Sequence, residues 1–428
     1  MSEKFQKRLS IASASFLLVL LLLGFGVAVG KYQIWPYSII DEVYTVTKSL
    51  IKYGEVIPVN RLIRAPDYVS REHLTVHNKS AQSDGYYAYT GWDDVNKSYA
   101  MWLYDSNGEQ INHLTYDYYD LDANGPLNNS DSPHAFHVLS DGSFMVSFDE
   151  GDVMARIDAC GKAMWTQEGV YHHSLQRAED GTFWTWRGEN SAYGHYNYLV
   201  NFDADTGNVI KEIGLVEDLI KTMGDDRAGI YGVRSSYDFI HVDFTPENKD
   251  EVDIFHPNDI DVLYSDIADK FPNFNAGDLV ISLRNTHLIA VVDPNTFETK
   301  WSSNGPWRFQ HDPDFTSDGM ISIYNNNTDL TRSEIIKINP STNYVVNELH
   351  EGNLFFYSAA MGKHQYLPND NLLITNPGEG RIVEVDKKGD LVFEINNLSQ
   401  ISIDYNVHIA NAQWLPRDYF DQKPSCNN

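Results

Sequence analysis

The chain has 428 residues, enough for about three domains at ~150 residues each or for one large repetitive fold. Apolar residues make up 42% and aromatic ones 13%, which excludes a disordered or collagen-like chain. The net charge of −28 repels phosphate backbones and so argues against nucleic-acid binding.

Residues 11–30, IASASFLLVLLLLGFGVAVG, carry no charge and follow Lys4, Lys7 and Arg8. A run of ~20 apolar residues is long enough to cross a hydrocarbon core, and the basic flank sets the cytoplasmic side. Residues 1–30 therefore read as a single-pass transmembrane anchor, with the C-terminal domain on the periplasmic or extracellular side. A cleavable signal peptide is the competing reading, because Ala28 and Gly30 are small residues before a possible cut, although signal cores are usually ~7–15 residues. Both readings place the chain where disulfides form. Whether Cys160 and Cys426 pair is left open by their spacing. Residues 31–60, with IIDEVYTVTKSLIKYG at roughly helical spacing, read as a stalk with a short helix.

From residue 61 onward, short β-rich runs such as SFMVSF, TFWTWR, DLVISL, MISIYN and NLLITN alternate with Asp-Gly, Asn-Gly or Asn-Asp turns. They repeat. A unit starts at a histidine, continues through an apolar strand, a tight turn and a second strand, then a third strand ending in Asp, and a fourth. Such units begin near His73, His134, His172, His256, His311 and His364. Four strands per ~40–50 residues is a propeller blade, so residues 61–428 are expected to be all-β, a six-bladed β-propeller. VHIANAQWLP, from Val407, looks like the first strand of a further unit and is expected to close the ring on the first blade. Residues 214–255 fit no unit.

The heads of the first strands carry His134, His137, His172, His173, His256, His311, His364 and His408. In a propeller those strands are innermost, so these side chains are expected to converge at one end of the channel. Each alone is more simply a hydrogen-bonded structural histidine. As a set they suit metal binding, acid–base work or covalent group transfer. There is no HExxH, no phosphate-binding GxxxxGK[ST] loop and no GxSxG elbow, so no metal and no cofactor is expected.

Three blocks carry a resemblance. QHDPDFTSDGMISIYNNN at Gln310, HPNDIDVL with ISLRNTHLIAVVD from His256, and GRIVEVDKKGDLVFE resemble the arylsulfotransferase family of bacterial and fungal proteins, over roughly residues 130–416. The resemblance implies a six-bladed propeller that moves a sulfuryl group between phenols without phosphoadenosine phosphosulfate. It implies His364 as the nucleophile, His256 and His311 as flanking histidines that hold sulfate oxygens or protonate the leaving phenolate, and Arg332 as the neutralising cation. Lys363, His173 and His137 are candidates for substrate binding, as is Trp307 for stacking on an aryl ring. Lys363 also reads as a rim lysine, Arg332 as a surface charge and Trp307 as inter-blade packing. Expected partners are small phenols and, through the N-terminal segment, a membrane. A non-catalytic propeller that binds a ligand, glycan or protein at the membrane surface is the alternative. The oligomeric state is not legible.

Overall fold

The computed structural model describes helical positions within residues 16–29, residues 61–121, most of 132–220, residue 253, most of 255–400, and most of 403–426. The stalk expected at 31–60, and most of the segment 214–255 that fitted no unit, lie outside the described residues. The chain divides into two units, Met1–Leu62 and Ile63–Asn428. In the first, among the described residues, no helix is long and apolar enough to cross a membrane.

The second unit is an all-β six-bladed propeller. Blade 2 consists of Pro133–Val138, Phe144–Phe148, Val153–Ile157 and Ala163–Glu168, from the inside out. Blade 3 runs through Val170–Arg177, Phe183–Gly188, Asn197–Phe202 and Val209–Gly214, and blade 4 through Pro257–Val262, Leu279–Leu283, Leu288–Val292 and Thr299–Ser303. Blade 5 is His311–Phe315, Ile321–Asn325, Glu334–Ile338 and Val345–Asn347. Blade 6 is Lys363–Tyr366, Leu372–Asn376, Arg381–Val385 and Leu391–Asn396.

Burial follows position in the blade. Middle strands such as Leu279–Leu283 and Leu288–Val292 are buried at every residue, because both faces are covered by neighbouring blades. The outermost strand of blade 2, Ala163–Glu168, alternates half-buried and exposed positions with the period of two expected of a solvated edge. The apolar clusters accordingly lie between blades: Trp186 and Leu199 of blade 3 pack with Ile260 and Leu279 of blade 4. The tight turns behave as their sequences require. Gly142, Gly181 and Gly319 take φ of 86°, 88° and 78° after an aspartate; in blade 6, which has Asn-Asp instead, Asp370 takes φ of 62°.

Ring closure is as expected from the C-terminal segment. Ile409–Pro416 is the inner strand of blade 1 and pairs antiparallel with Gly85–Asp93, which is followed by Ser98–Asp105 and Gln110–Tyr116. The unit placed at His73 needs correction. Leu74–Val76 pairs with Leu391–Asn396 as a fifth, outermost strand of blade 6, because the inner place in blade 1 is taken by the C-terminal strand. Both ends of the domain thus lock the ring. Cys160, in the turn before the outer strand of blade 2, and Cys426, beyond the closing strand, form a disulfide across 266 residues of sequence. A bridge closing so long a loop stabilises by about 2–4 kcal/mol.

Candidate active site

Five of the six inner strands break register near their start: at Pro133/Ala135, His172/Gln176, Pro257/Asp259, His311/Pro313 and Ile409/Asn411. A bulge bends a strand and re-aims its side chains. His173, His256 and Asp312 accept positive φ of 64°, 48° and 52°, conformations unfavourable for residues with a β-carbon and held here by the surrounding ring.

These bends gather imidazoles. The His173 ring lies 3.7 Å from that of His134, 5.1 Å from His256 and 6.4 Å from His311, centroid to centroid. Its Nδ1 is 2.7 Å from Nδ1 of His172. The chain of partners sets the protons. Asn197 Oδ1 can only accept, so His172 donates Nε2–H to it at 2.9 Å and, being neutral, accepts at Nδ1. His173 must then donate Nδ1–H, which leaves the lone pair of His173 on Nε2. His311 donates Nδ1–H to Asn326 Oδ1 at 2.7 Å and accepts at Nε2 from the Met361 N–H at 3.2 Å.

A cation at this cluster is Arg284, in the turn after Leu279–Leu283. Its Nη1 donates to His256 Nε2 at 2.8 Å, while His256 Nδ1 faces Asp253 Oδ2 at 2.5 Å. Burial pushes His134, His173, His256 and His311 below the usual imidazole range, with the Arg284 charge the next cause for His256 and His311. Burial likewise takes His172 and His137 down to about 3. All are neutral at pH 7, which is the nucleophilic form.

Acid lability follows. A histidine whose folded value is depressed stabilises the fold above its unfolded value of 6.5, and that contribution is lost as pH falls toward the folded value, here about 3 for His137 and His172. Each such group adds a slope of up to ~1.4 kcal/mol per pH unit across this window. The urea midpoint is expected to drop markedly between pH 7.5 and pH 5; an unchanged midpoint would contradict the neutral cluster.

His364 does not join these rings. Its Nδ1 bonds Asp312 Oδ2 at 2.7 Å and its Nε2 accepts from Ser322 Oγ at 2.7 Å. It lines a different space, a cavity of about 960 Å³ bordered also by Phe136, His137, Asp261, Asp314 and Trp414. His137 accepts there from Gln413 Nε2 at 3.0 Å. Lys363 stands between the two groups. It pairs with Asp259, and with Asp312 at 3.0 Å; burial opposes its charge, but the two carboxylates prevail and raise its value. The gap among His134, His173, His311 and Met361 is about 20 Å³, room for one water.

Two expected residues stand apart from both groups. Arg332 donates from Nη2 to the Leu354 carbonyl at 3.1 Å and, among the described residues, makes no hydrogen bond to His256, His311 or His364. Trp307 is 2% exposed, packs with Trp301 and Phe315, and donates Nε1–H to the His287 carbonyl at 2.7 Å, so it serves packing between blades. Of the expected set, His173, His256 and His311 come together, and His137, Lys363 and His364 share the wide cavity. Arg284 was missed although it lies in the ISLRNTHL block, because nothing local aims a turn residue at the channel. The alternating aspartates of NDID were a readable signal, since period two puts Asp259 with Asp261 on one face; in HDPD the bulge at His311/Pro313 breaks that period.

Comparison with known proteins agrees with the resemblance. Among solved structures the chain is similar to a protein of unknown function from Bacteroides caccae (14% identity, 77% of this chain and 98% of that one, TM-score 0.46). It is also similar to virginiamycin B lyase from Staphylococcus aureus (13%, 61% and 69%, TM-score 0.34) and to TolB from Acinetobacter baumannii (12%, 78% and 67%, TM-score 0.44). At these scores the likenesses carry no argument. No curated protein matches. The arylsulfotransferase (ASST) family model, however, matches residues 137–398, more than half of the sequence and every blade from the second to the sixth. The chain belongs to the arylsulfotransferase (ASST) family.

Proposed function

We propose that the protein is an aryl sulfotransferase that carries a sulfuryl group from a phenolic sulfate to a phenol on a histidine. The observation that carries the reading is the convergence of the His173 ring on those of His134, His256 and His311, with Arg284 bonded to His256. In the first half-reaction His173 Nε2 attacks sulfur, the N–S bond forms, and the S–O bond to the aryl oxygen breaks with departure of the phenolate. Arg284 bears the charge of the sulfuryl oxygens. In the second half-reaction the acceptor phenol gives its proton to His134, its oxygen attacks sulfur, and the N–S bond breaks. Little covalent chemistry is asked of the protein; rate comes from positioning and charge stabilisation. Met361, which borders the small gap and caps His311, has to move aside for a sulfuryl group to reach the cluster.

This reading replaces His364 with His173 as the carrier, because His173 sits within the imidazole cluster whereas His364 lines the carboxylate-bearing cavity, and replaces Arg332 with Arg284 as the cation. The apolar segment 11–30 serves in this proposal as a single-pass anchor that holds the propeller outside the cytoplasm, which the Cys160–Cys426 bridge supports. The rival reading, a non-catalytic binding module, draws on the wide cavity, whose carboxylates repel an anionic donor. Incubation with 4-nitrophenyl sulfate and excess phenol separates the two. A transferase releases nitrophenolate with parallel lines in double-reciprocal plots; absence of turnover with several aryl sulfates would sink the proposal.

A further inference from the structure

The floor of the wide cavity holds a ligand set that sulfuryl transfer at His173 does not use. Asp312, Asp314 and His364 each present one ligand atom, all within 4.8 Å of one another. Their roles differ. Asp312 Oδ2 accepts the Nδ1–H of His364 at 2.7 Å and also accepts the His364 backbone N–H, so it fixes the ring and leaves Nε2 as the nitrogen that meets Ser322 and Asp314. A metal-ligating histidine is usually anchored in this way, its second ring nitrogen bonded to a carboxylate.

Asp314 Oδ2 stands 3.6 Å from that Nε2. This is too long for a hydrogen bond. It suits two atoms bound to one ion, since ligands about 2.0–2.2 Å from a common centre lie roughly 3–3.6 Å apart. Charge points the same way. Asp259, Asp261, Asp312 and Asp314 lie on two adjacent inner strands, and the ammonium of Lys363 is committed to Asp259 and Asp312. Asp261 is held by the Phe315 N–H at 2.9 Å and by Gln176 Nε2 at 2.6 Å. Asp314 is left facing His364 at the cavity wall.

We propose that Asp314 and His364, oriented by Asp312, bind a divalent first-row cation, Mn²⁺ or Zn²⁺, at the floor of the wide cavity. One imidazole with a carboxylate is a mixed hard and borderline donor set, which suits these two ions better than Ca²⁺ or Cu⁺. Two protein ligands leave coordination positions open toward the cavity. The Ser322 hydroxyl, which donates to Nε2 at 2.7 Å, turns about its χ1 when the cation takes that lone pair.

The test is binding, read without any sulfate donor, so that it stands or falls separately from the transferase reading. The full chain, stripped with chelator and dialysed, is titrated with MnCl₂ at pH 7.5 and followed by electron paramagnetic resonance and calorimetry, with ZnCl₂ as competitor. One Mn²⁺ per chain is expected, displaced by Zn²⁺. The Asp314 side chain is 29% exposed, so Asp314→Asn should fold normally; it is expected to abolish binding. Asp312→Asn is expected to weaken it by ~10–100-fold, the effect of losing the carboxylate that orients a ligating histidine. Far-UV circular dichroism of the metal-free variants checks their fold. Absence of saturable binding of either ion, or stoichiometric binding undiminished in folded Asp314→Asn, would overturn the site.

Discussion

His173→Asn is expected to lower nitrophenolate release from 4-nitrophenyl sulfate by at least ~10³-fold, the scale of losing a covalent nucleophile while binding and charge stabilisation persist. The variant removes an imidazole whose ring approaches those of His134, His172, His256 and His311 together. On the proposed mechanism it also removes the sulfuryl-histidine, so a rapid burst of nitrophenolate, one per chain, should vanish. Asparagine is polar and smaller, and the fold should tolerate it. Its stability should in fact depend less on acid, since one depressed imidazole is gone. The informative comparison is His364→Ala. If that variant loses the burst and His173→Asn keeps it, the carrier is the histidine bonded to Asp312 and Ser322, and the tautomer argument is wrong. Arg284→Ala should retain the burst but slow both half-reactions by ~10²–10³-fold, the usual cost of removing one oxyanion donor.

Arg381→Met is expected to destabilise the propeller by about 3–5 kcal/mol, because it strands buried carboxylates without their cation. Arg381, in the third strand of blade 6, is 1% exposed; its Nε donates to Glu394 Oε1 at 2.9 Å and its Nη1 lies 3.6 Å from Glu379 Oε2. The same two glutamates receive the chain from before blade 1: Tyr68 OH bonds Glu379, and the Ser70 N–H and His77 Nε2 reach Glu394 at 3.3 and 3.0 Å. The cation therefore holds the outermost strand Leu74–Val76 to blade 6 as well as the blade to itself. Burial raises the Glu394 carboxyl, but Arg381 and the hydrogen bonds to Asn396 and His77 outweigh it and leave it lowered. A lowered carboxyl contributes stability above its unfolded value of 4.5 that is lost as pH falls, so the deficit of the variant should shrink in acid. Urea midpoints of wild type and Arg381→Met at pH 7.5 and pH 4 give both numbers. Adding Glu379→Gln and Glu394→Gln to Arg381→Met should recover much of the loss. A midpoint unchanged at pH 7.5 would show that water reaches the network.

Architecture was legible because a propeller writes its period into the chain. Asp141-Gly142, Asp180-Gly181 and Asp318-Gly319 mark the turn between first and second strands, and apolar runs follow at equal distances, so blades 2 to 6 could be placed by inspection. Blade 1 misled because its parts are separated by the whole domain: HLTV before it belongs to blade 6, and its own inner strand lies at 409–416. Pairing across more than 300 residues showed locally at the closing strand, VHIANAQWLP, and not at HLTV.

The site was legible only by residue type. The histidines stand at the head of each inner strand in the linear pattern, and that periodicity alone predicts convergence on the channel. Which of them meet is decided by bulges and by three positive φ angles, which turn His134, His173, His256 and His311 into one cluster and leave His364 facing the opposite cavity. A bulge shifts side-chain direction by one residue, and no propensity at these positions announces it. Repeat and turn chemistry are local quantities, and they determined the six-bladed ring and the inner-strand histidines. Cation choice, tautomers and the division of the channel into an imidazole cluster and a carboxylate-lined cavity depend on ångström distances between strands far apart in the chain, and tertiary packing alone sets those.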